Sequence, residues 1–283
     1  DVAALEAAIA EDRAAGLRPL AVVATVGTTS TTSVDPVAEI GAVCRREDLW
    51  YHVDAAYAGS AAMCPEHQWI YAGAETVDSL VFNPHKWLFT PFDASALYTR
   101  HPDLFRRAFS LVPEYLTTPV SGQVVDLMDY GVQLGRRFRA LKLWFVLRSY
   151  GIEGLQAMLR RHIALTGELA SWIEAAPDFE LTSPPSLALL TFRYHPPGLD
   201  EVAALDRLNE QLVNEINDDG RIYLTQTKVA GRFAVDVQAP LHPGGTVPIV
   251  YAGVAGFTAI AVVAEGSHDQ RVAVAAQRHS DLL

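Results

Sequence analysis

The stretch from Leu49 to Trp87 constrains this chain most, because it holds two apolar runs that each lead into a charged residue. The first, LWYHVDAAYAGSA, carries Asp54, and the second closes on VFNPHKW, with Lys86 in its turn. The chain between them is long enough for a strand, a crossover and a second strand of the same sheet. Opposite charges brought to one side of such a sheet would face a shared cleft. On spacing alone two readings stay open: a cofactor site, or a buried ion pair with an ordinary strand-end lysine.

The surrounding pattern predicts an α/β fold. Val2 to Ala15 has helical spacing that stops at Gly16, and Pro19 to Val26 is a continuous apolar run of the kind found in parallel strands buried on both faces. That run empties into the hydroxyl-rich Gly27–Ser33, a place where α/β folds bind ligands, although an ordinary turn is the plainer reading for this loop by itself. Asp35-Pro36 is expected to cap a helix through Val37, Ile40 and Val43. Strands are predicted over Leu49–Val53, Val77–Phe82 and Ser95–Thr99, giving a mainly parallel sheet. Periodicity disappears from Phe109 to Tyr130, as in a functional lid. Helices are expected over 135–150 and 152–175, strands at 179–182 and 187–194, a helix over 200–217 and a strand over 221–225. The reading is a large sheet domain over 1–143 and a small α+β domain over 144–283.

Composition narrows the function. Half the residues are hydrophobic and 19% are charged, enough for a sizeable core, and the net charge of −11 argues against nucleic acid. Cys44 and Cys64 have neither metal spacing nor disulfide density, which points to a reduced, cytoplasmic setting. The chain does not begin with Met, and the expectation is a piece of something longer. Val247–Ala264 is apolar enough to suggest a membrane span, but Pro248, Gly253 and Gly256 interrupt it, and no membrane partner is expected.

A lysine in an apolar surround loses its charge readily, because desolvation disfavours the ammonium, and a neutral amine condenses with an aldehyde. Pyridoxal 5'-phosphate is the aldehyde cofactor that exploits this, and it needs a carboxylate against its pyridine nitrogen. Three further motifs decide between the open readings. HVDAAYAGSA at 52–61, NPHKW at 83–87 and GRRFRALKLWFVLRSYGIEGLQ at 135–156 resemble the pyridoxal-phosphate-dependent group II decarboxylases, most closely the aromatic-L-amino-acid and tyrosine decarboxylases. ATVGTT at 24–29 and PEYL at 113–116 fall where that family has equivalent motifs, and the match runs from about Leu20 to about Phe233.

The resemblance implies a fold-type I enzyme that decarboxylates an L-amino acid, with aromatic substrates expected, to the amine and carbon dioxide. Lys86 would anchor the cofactor covalently and Asp54 would partner its pyridine nitrogen. Asn83 and His85 would lie at the cofactor, Thr29 would touch its ring substituents, and Ala56 would pack on its face. Tyr115 would return a proton to the substrate carbon, where the related aldehyde synthases tend to carry phenylalanine. Family members are homodimers. Competing readings are an acidic amino acid decarboxylase, an aldehyde synthase, or an inactive truncated fragment.

Other residues receive plainer expectations. His52 is read on the strand face opposite Asp54, as a core or supporting histidine, and His101, His162 and His195 as surface residues. Arg136, Arg137 and Arg139 are expected on carboxylates or an interface, Trp87 in a core or dimer contact, and Tyr57 is left open between core and cleft. The family has a long region before the position of Asp1, carrying its main phosphate loop and a ring-stacking histidine, so this chain alone is expected to hold cofactor loosely. From about Asp236 the tail departs from the family pattern and is expected to be non-native, as from a shifted reading frame.

Overall fold

The computed structural model describes residues 1–110, 124–220 and 223–238. The apolar runs form a four-stranded sheet in chain order, β1 (Ala21–Thr25), β2 (Trp50–Asp54), β3 (Ser79–Phe82) and β4 (Ala96–Thr99). The first three are parallel, and β4 returns antiparallel to β3. Thr25 pairs with Asp54, and Asp54 with Val81, so three carboxyl ends finish at one edge. β3 begins later than the expected Val77 because Asp78 is occupied as a bracket. Its carboxylate accepts from the Tyr51 N–H at 2.7 Å and lies 2.7 Å from His101 Nε2.

The connections are built differently from one another. β1 passes to β2 through α2 (Val37–Glu47), but Asp35 does not cap it: α2 has no side-chain cap. The Asp35 carboxylate instead accepts from the Thr25 N–H at 2.8 Å, and the Asp35 N–H donates to the Thr25 carbonyl at 2.9 Å. The donor at the end of an edge strand has no other protein partner, whereas a solvent-facing helix end has water. β2 passes to β3 through three short 3-10 turns, Ala58–Met63, Pro65–Tyr71 and Ala74–Thr76. α1 (Val2–Ala14) starts on the Asp1 carboxylate and buries only Ile9. It is tied to α2 by the exposed pairs Arg13–Glu47 and Arg46–Glu6, which add little stability.

After α3 (Pro102–Phe109) and a 3-10 turn at Leu127–Tyr130, the two expected helices run end to end as α4 (Arg139–Ala175). Gly151, at φ 65° and ψ 173°, makes the break between them. The second layer is an antiparallel sheet, ordered β5 (Phe179–Leu181), β6 (Leu189–Tyr194), β8 (Arg232–Gln238), β7 (Thr225–Val229), with α5 (Val202–Asp219) against it. The strand expected over 221–225 lies later. Asn217 accepts from the Leu224 N–H at 2.7 Å and donates to its carbonyl at 3.0 Å, so ladder pairing starts only after Leu224. Residues 221 and 222 lie outside the described set.

Two apolar cores result. The first gathers Val26, Tyr51, Val53, Trp87 and Leu88 with Val146, Leu155 and Leu159 of α4. The second gathers Leu169 and Ile173 of α4 with Leu190, Phe192, Leu212, Ile216 and Val235. α4 therefore belongs to both. Asp236 to Gln238, at the start of the tail, complete β8, and Asp236 is paired with both Thr191 and Thr225. The rest of that tail, including Val247–Ala264, lies outside the described residues, and no helix among the described residues is long and apolar enough to cross a membrane.

Two outcomes test this packing. Gly27, at φ 88°, lets the loop after β1 pass against Ala58, whose Cβ a new methyl would overlap. Gly27→Ala should lower unfolding free energy in urea by about 2–4 kcal/mol, from left-handed strain plus overlap. Asp236 is 8% exposed, and burial pushes its carboxyl up to about 6, which the Thr225 hydroxyl at 3.2 Å only partly offsets. An unfolded aspartate ionises near 4, so the folded chain retains a proton that the unfolded chain releases, and stability falls as pH rises from about 4 to about 6. Asp236→Asn should gain on the order of 1–2 kcal/mol at pH 7 relative to its effect at pH 4. Thermal melts at both pH values check this, and the same shift at both would contradict it.

Candidate functional site

The carboxyl ends of β1, β2 and β3 are stitched together one residue beyond their strands. Val26 N–H donates to the Asp54 carbonyl at 2.8 Å, Ala55 N–H to the Val81 carbonyl at 2.9 Å, and Asn83 N–H to the Ala56 carbonyl at 3.2 Å. Asp54, Ala56, Asn83, His85 and Lys86 thus occupy two adjacent turns at one sheet edge, and the Thr28–Ser33 loop follows β1 at that edge.

Each turn is held by its own contacts. The Asp54 Oδ1 accepts from the Ala56 N–H at 2.9 Å, which orients the half-buried carboxylate and sets Ala56 beside it. Asn83 Oδ1 accepts from the Ser95 hydroxyl at 2.5 Å. His85 Nδ1 lies 2.6 Å from the Ala94 carbonyl, and Phe92 meets its ring edge-on at 4.9 Å. α4 clamps the same 91–95 segment: Arg139 donates to the Asp93 carboxylate at 2.9 Å, and Lys142 Nζ to the carbonyls of Pro91 and Asp93 at 2.9 and 2.7 Å. Arg139 therefore sits on a carboxylate, as its sequence context suggests. It holds the Asp93 carboxyl below its usual range. The half-buried Lys86 amine has no hydrogen bond or ion pair with any described residue, so the pair with Asp54 left open by spacing is not formed.

In the hydroxyl loop most groups are spent on each other. Thr28 Oγ1 lies 3.0 Å from Thr31 Oγ1, which lies 2.7 Å from Ser33 Oγ, and Thr28 also accepts from the Ser33 N–H at 3.0 Å. Ser30 is bonded to Thr227 of the second sheet at 2.7 Å. Thr29 is exposed and makes no such bond among the described residues. It lines a cleft of ≈ 440 Å³ between this loop and the β7–β8 hairpin, with Thr225, Thr227 and Asp236.

Six aromatic or histidine expectations need correction or completion. His52 shares a face with Asp54, since strand side chains alternate with period two. Its Nδ1 lies 2.7 Å from the Ser79 hydroxyl, and burial lowers its pKa while Asp54 partly raises it. His162 is not at the surface: it is 7% exposed and accepts from the Trp87 indole N–H at 3.1 Å. His101 pairs with Asp78 against the Trp50 ring at 5.3 Å, and His195 lies 3.0 Å from Glu180. These partners are remote in sequence, which is why no local spacing announced them. Trp87 is fully buried, and Tyr57, at 8% exposed, joins the core stacked on it.

Ser95, Asp93 and Lys142 were missed by sequence reasoning. Ser95 bonds Asn83 directly, while Asp93 and Lys142 hold the 91–95 segment that carries Ser95 and Ala94, and nothing in their local sequence marks them. Tyr115 lies outside the described residues. The remaining donor set fits a cofactor that carries an aldehyde and a pyridine nitrogen. It offers an amine at Lys86 that has no partner among the described residues, an oriented carboxylate at Asp54, and a small residue, Ala56, beside that carboxylate.

Comparisons with known proteins bear out the resemblance. Residues 1–195 match the family model described as the pyridoxal-dependent decarboxylase conserved domain. An aromatic-L-amino-acid decarboxylase of Sus scrofa is 44% identical over 234 residues, 82% of this chain and 46% of that protein. A phenylacetaldehyde synthase of Arabidopsis thaliana is 42% identical over 241 residues, 84% of this chain and 49% of that protein. The crystal structure of Oryza sativa TDC with PLP and tryptamine superposes with a TM-score of 0.82 at 40% identity, over 86% of this chain and 51% of that one. The chain thus spans about half the length of the curated relatives it matches. With its parallel β1–β3 sheet and the second α+β layer, it has the α/β fold-type I architecture of these enzymes. By family model, sequence and fold together, the chain belongs to the pyridoxal-dependent decarboxylase family.

Proposed function

We propose that this chain carries the cofactor-anchoring part of an enzyme that removes the α-carboxylate of an L-amino acid, aromatic by preference, giving the amine and carbon dioxide. One observation carries the reading: Asp54 and Lys86 lie at the ends of adjacent parallel strands, the carboxylate oriented by the Ala56 N–H and the amine without a polar partner among the described residues. Pyridoxal 5'-phosphate, when bound, supplies the electron sink that takes up the electrons of the broken carbon–carboxylate bond.

The residues have separate tasks in this reading. Lys86 Nζ, uncommitted to any carboxylate among the described residues, is the amine that anchors the cofactor covalently. Asp54 keeps a proton on the pyridine nitrogen, which its orientation by Ala56 suits. Ala56 leaves room against one ring face, and Thr29 offers a hydroxyl uncommitted among the described residues. His85 and Asn83 frame the same turn, fixed through Ala94 and Ser95. Tyr115, assigned by its PEYL context, returns the proton to the substrate carbon from its phenol oxygen. A tyrosine there favours the amine over the aldehyde as product.

The same proposal assigns residues 1–143 to the cofactor-binding large domain and 144–283 to the small one; the presence of two apolar cores supports a division in two, with Val146, Leu155 and Leu159 of α4 packed into the first core across that boundary. It includes a homodimer, supported by the exposed Phe138, Trp144 and Phe145 at the start of α4, and a cytoplasmic location, supported by two buried free cysteines.

Reductive trapping tests the central claim. The chain is incubated with pyridoxal 5'-phosphate, reduced with borohydride and digested, and the label is located by mass spectrometry; reduction makes even loose binding permanent. The label should fall on Lys86, Lys86→Ala should abolish it, and Asp54→Ala should weaken cofactor retention at least about tenfold. Labelling spread over Lys142 and Lys228 at equal yield would overturn the assignment. In the full-length enzyme, substrate turnover should release amine and carbon dioxide, and Tyr115→Phe should divert product toward aldehyde.

A further inference from the structure

Trp87 follows Lys86 directly, and Tyr57 follows Ala56 directly. Their rings are stacked, with centroids 5.2 Å apart and planes 13° from parallel, so one aromatic pair underlies both turns of the site. A stack of this kind slides at little cost, because its attraction varies slowly with lateral offset. A hydrogen bond has much sharper angular demands. Among the described residues the stack has one such directional contact: the Trp87 indole N–H donates to His162 Nδ1 at 3.1 Å.

His162 is placed to act as a fixed stop. It lies on α4 between Leu155 and Leu159, which join the first core, and Leu169 and Ile173, which join the second. Phe89, from the same turn as Trp87, meets its ring edge-on at 5.6 Å. Accepting at Nδ1 requires a neutral imidazole with its proton on Nε2. Burial enforces the neutral form, pushing the pKa down to about 4, with the neighbouring Arg161 charge acting in the same direction.

We infer that His162 is a positioning residue of the Lys86 turn: by accepting from the Trp87 indole it fixes the Trp87–Tyr57 stack and with it the turn that presents the Lys86 amine. The inference rests on the reading of Lys86 as the cofactor anchor, and it couples the second layer of the fold to the site through α4. His162 touches no reacting atom in this scheme. Its effect passes through Trp87.

Substitutions that separate acceptor from volume test it in the full chain. His162→Asn keeps an acceptor near the Nδ1 position and loses ring volume, whereas His162→Leu keeps apolar volume and loses the acceptor. Two readouts are needed. One is hydrogen exchange at the Trp87 indole, assigned through Trp87→Phe, and at the Lys86 amide, both without cofactor. The other is the rate of borohydride-trapped pyridoxal phosphate on Lys86.

His162→Leu should lose exchange protection at both positions and slow trapping about tenfold, while His162→Asn stays near the wild-type chain. A His162→Leu chain that folds and matches the wild type in exchange and trapping would overturn the inference. So would an Asn variant as impaired as Leu at equal stability, because volume alone would then explain both. If His162→Leu fails to fold, Trp87→Phe removes the donor from the other side and should loosen the Lys86 amide in the same way. Unchanged exchange there would be equally fatal. If the wild-type chain traps no cofactor on Lys86, the proposed function fails, and the exchange data alone still decide the role of His162.

Discussion

The parallel register of β1, β2 and β3 is the constraint on which the rest depends. Pairing of Asp54 with Val81, continued by the Ala55 and Asn83 backbone bonds, holds two turns side by side at one sheet edge. Backbone hydrogen bonds inside an apolar sheet are costly to break, because a freed N–H or carbonyl would be buried without water. The geometry of Asp54 relative to the Lys86 turn is therefore set by the core of the sheet. The residues of the site need little further restraint to stay in place.

Beyond the local contacts of each turn, restraint comes from α4. Its first turns clamp the 91–95 segment through Arg139 and Lys142, its middle meets Trp87 through His162, and its end fills the second core. One helix thus touches the supports of both His85 and Lys86 and also carries the second sheet. That sheet in turn reaches back to the hydroxyl loop, where Thr227 bonds Ser30 and Asp236 lines the cleft beside Thr29. The stretch of α4 after the break at Gly151 serves both layers by itself, with Leu155 and Leu159 in the first core and Leu169 and Ile173 in the second.

Much of this was legible in the sequence where a signal is local. The apolar runs at Pro19–Val26 and Leu49–Val53 became strands because β-branched and aromatic stretches favour extended backbone, but burial on both faces is not met in β1, where Ala24 is buried and Val23 is 61% exposed. HVDAAY and NPHKW identified the family that the comparisons bear out. The failures share one cause, a partner distant in sequence. Local sequence makes Asp35 a helix cap, whereas it is bound to Thr25; it makes His162 a surface residue, whereas it is bound to Trp87. The His52 misreading is different, because strand alternation alone places it with Asp54.

The sequence by itself determined the chemistry available: one anchoring amine, one carboxylate, a hydroxyl-rich loop and a family of enzymes to which these belong. Residue type and local order are enough for that, since acidity, nucleophilicity and strand propensity are properties of short segments. Only the tertiary structure decided that the Lys86 amine and the Asp54 carboxylate do not pair, that Tyr57 is core, and that a histidine on a distant helix holds the turn beside Lys86. Those outcomes depend on which backbones the sheet brings within a few ångströms, and burial and hydrogen bonding act over that distance whatever the separation along the chain.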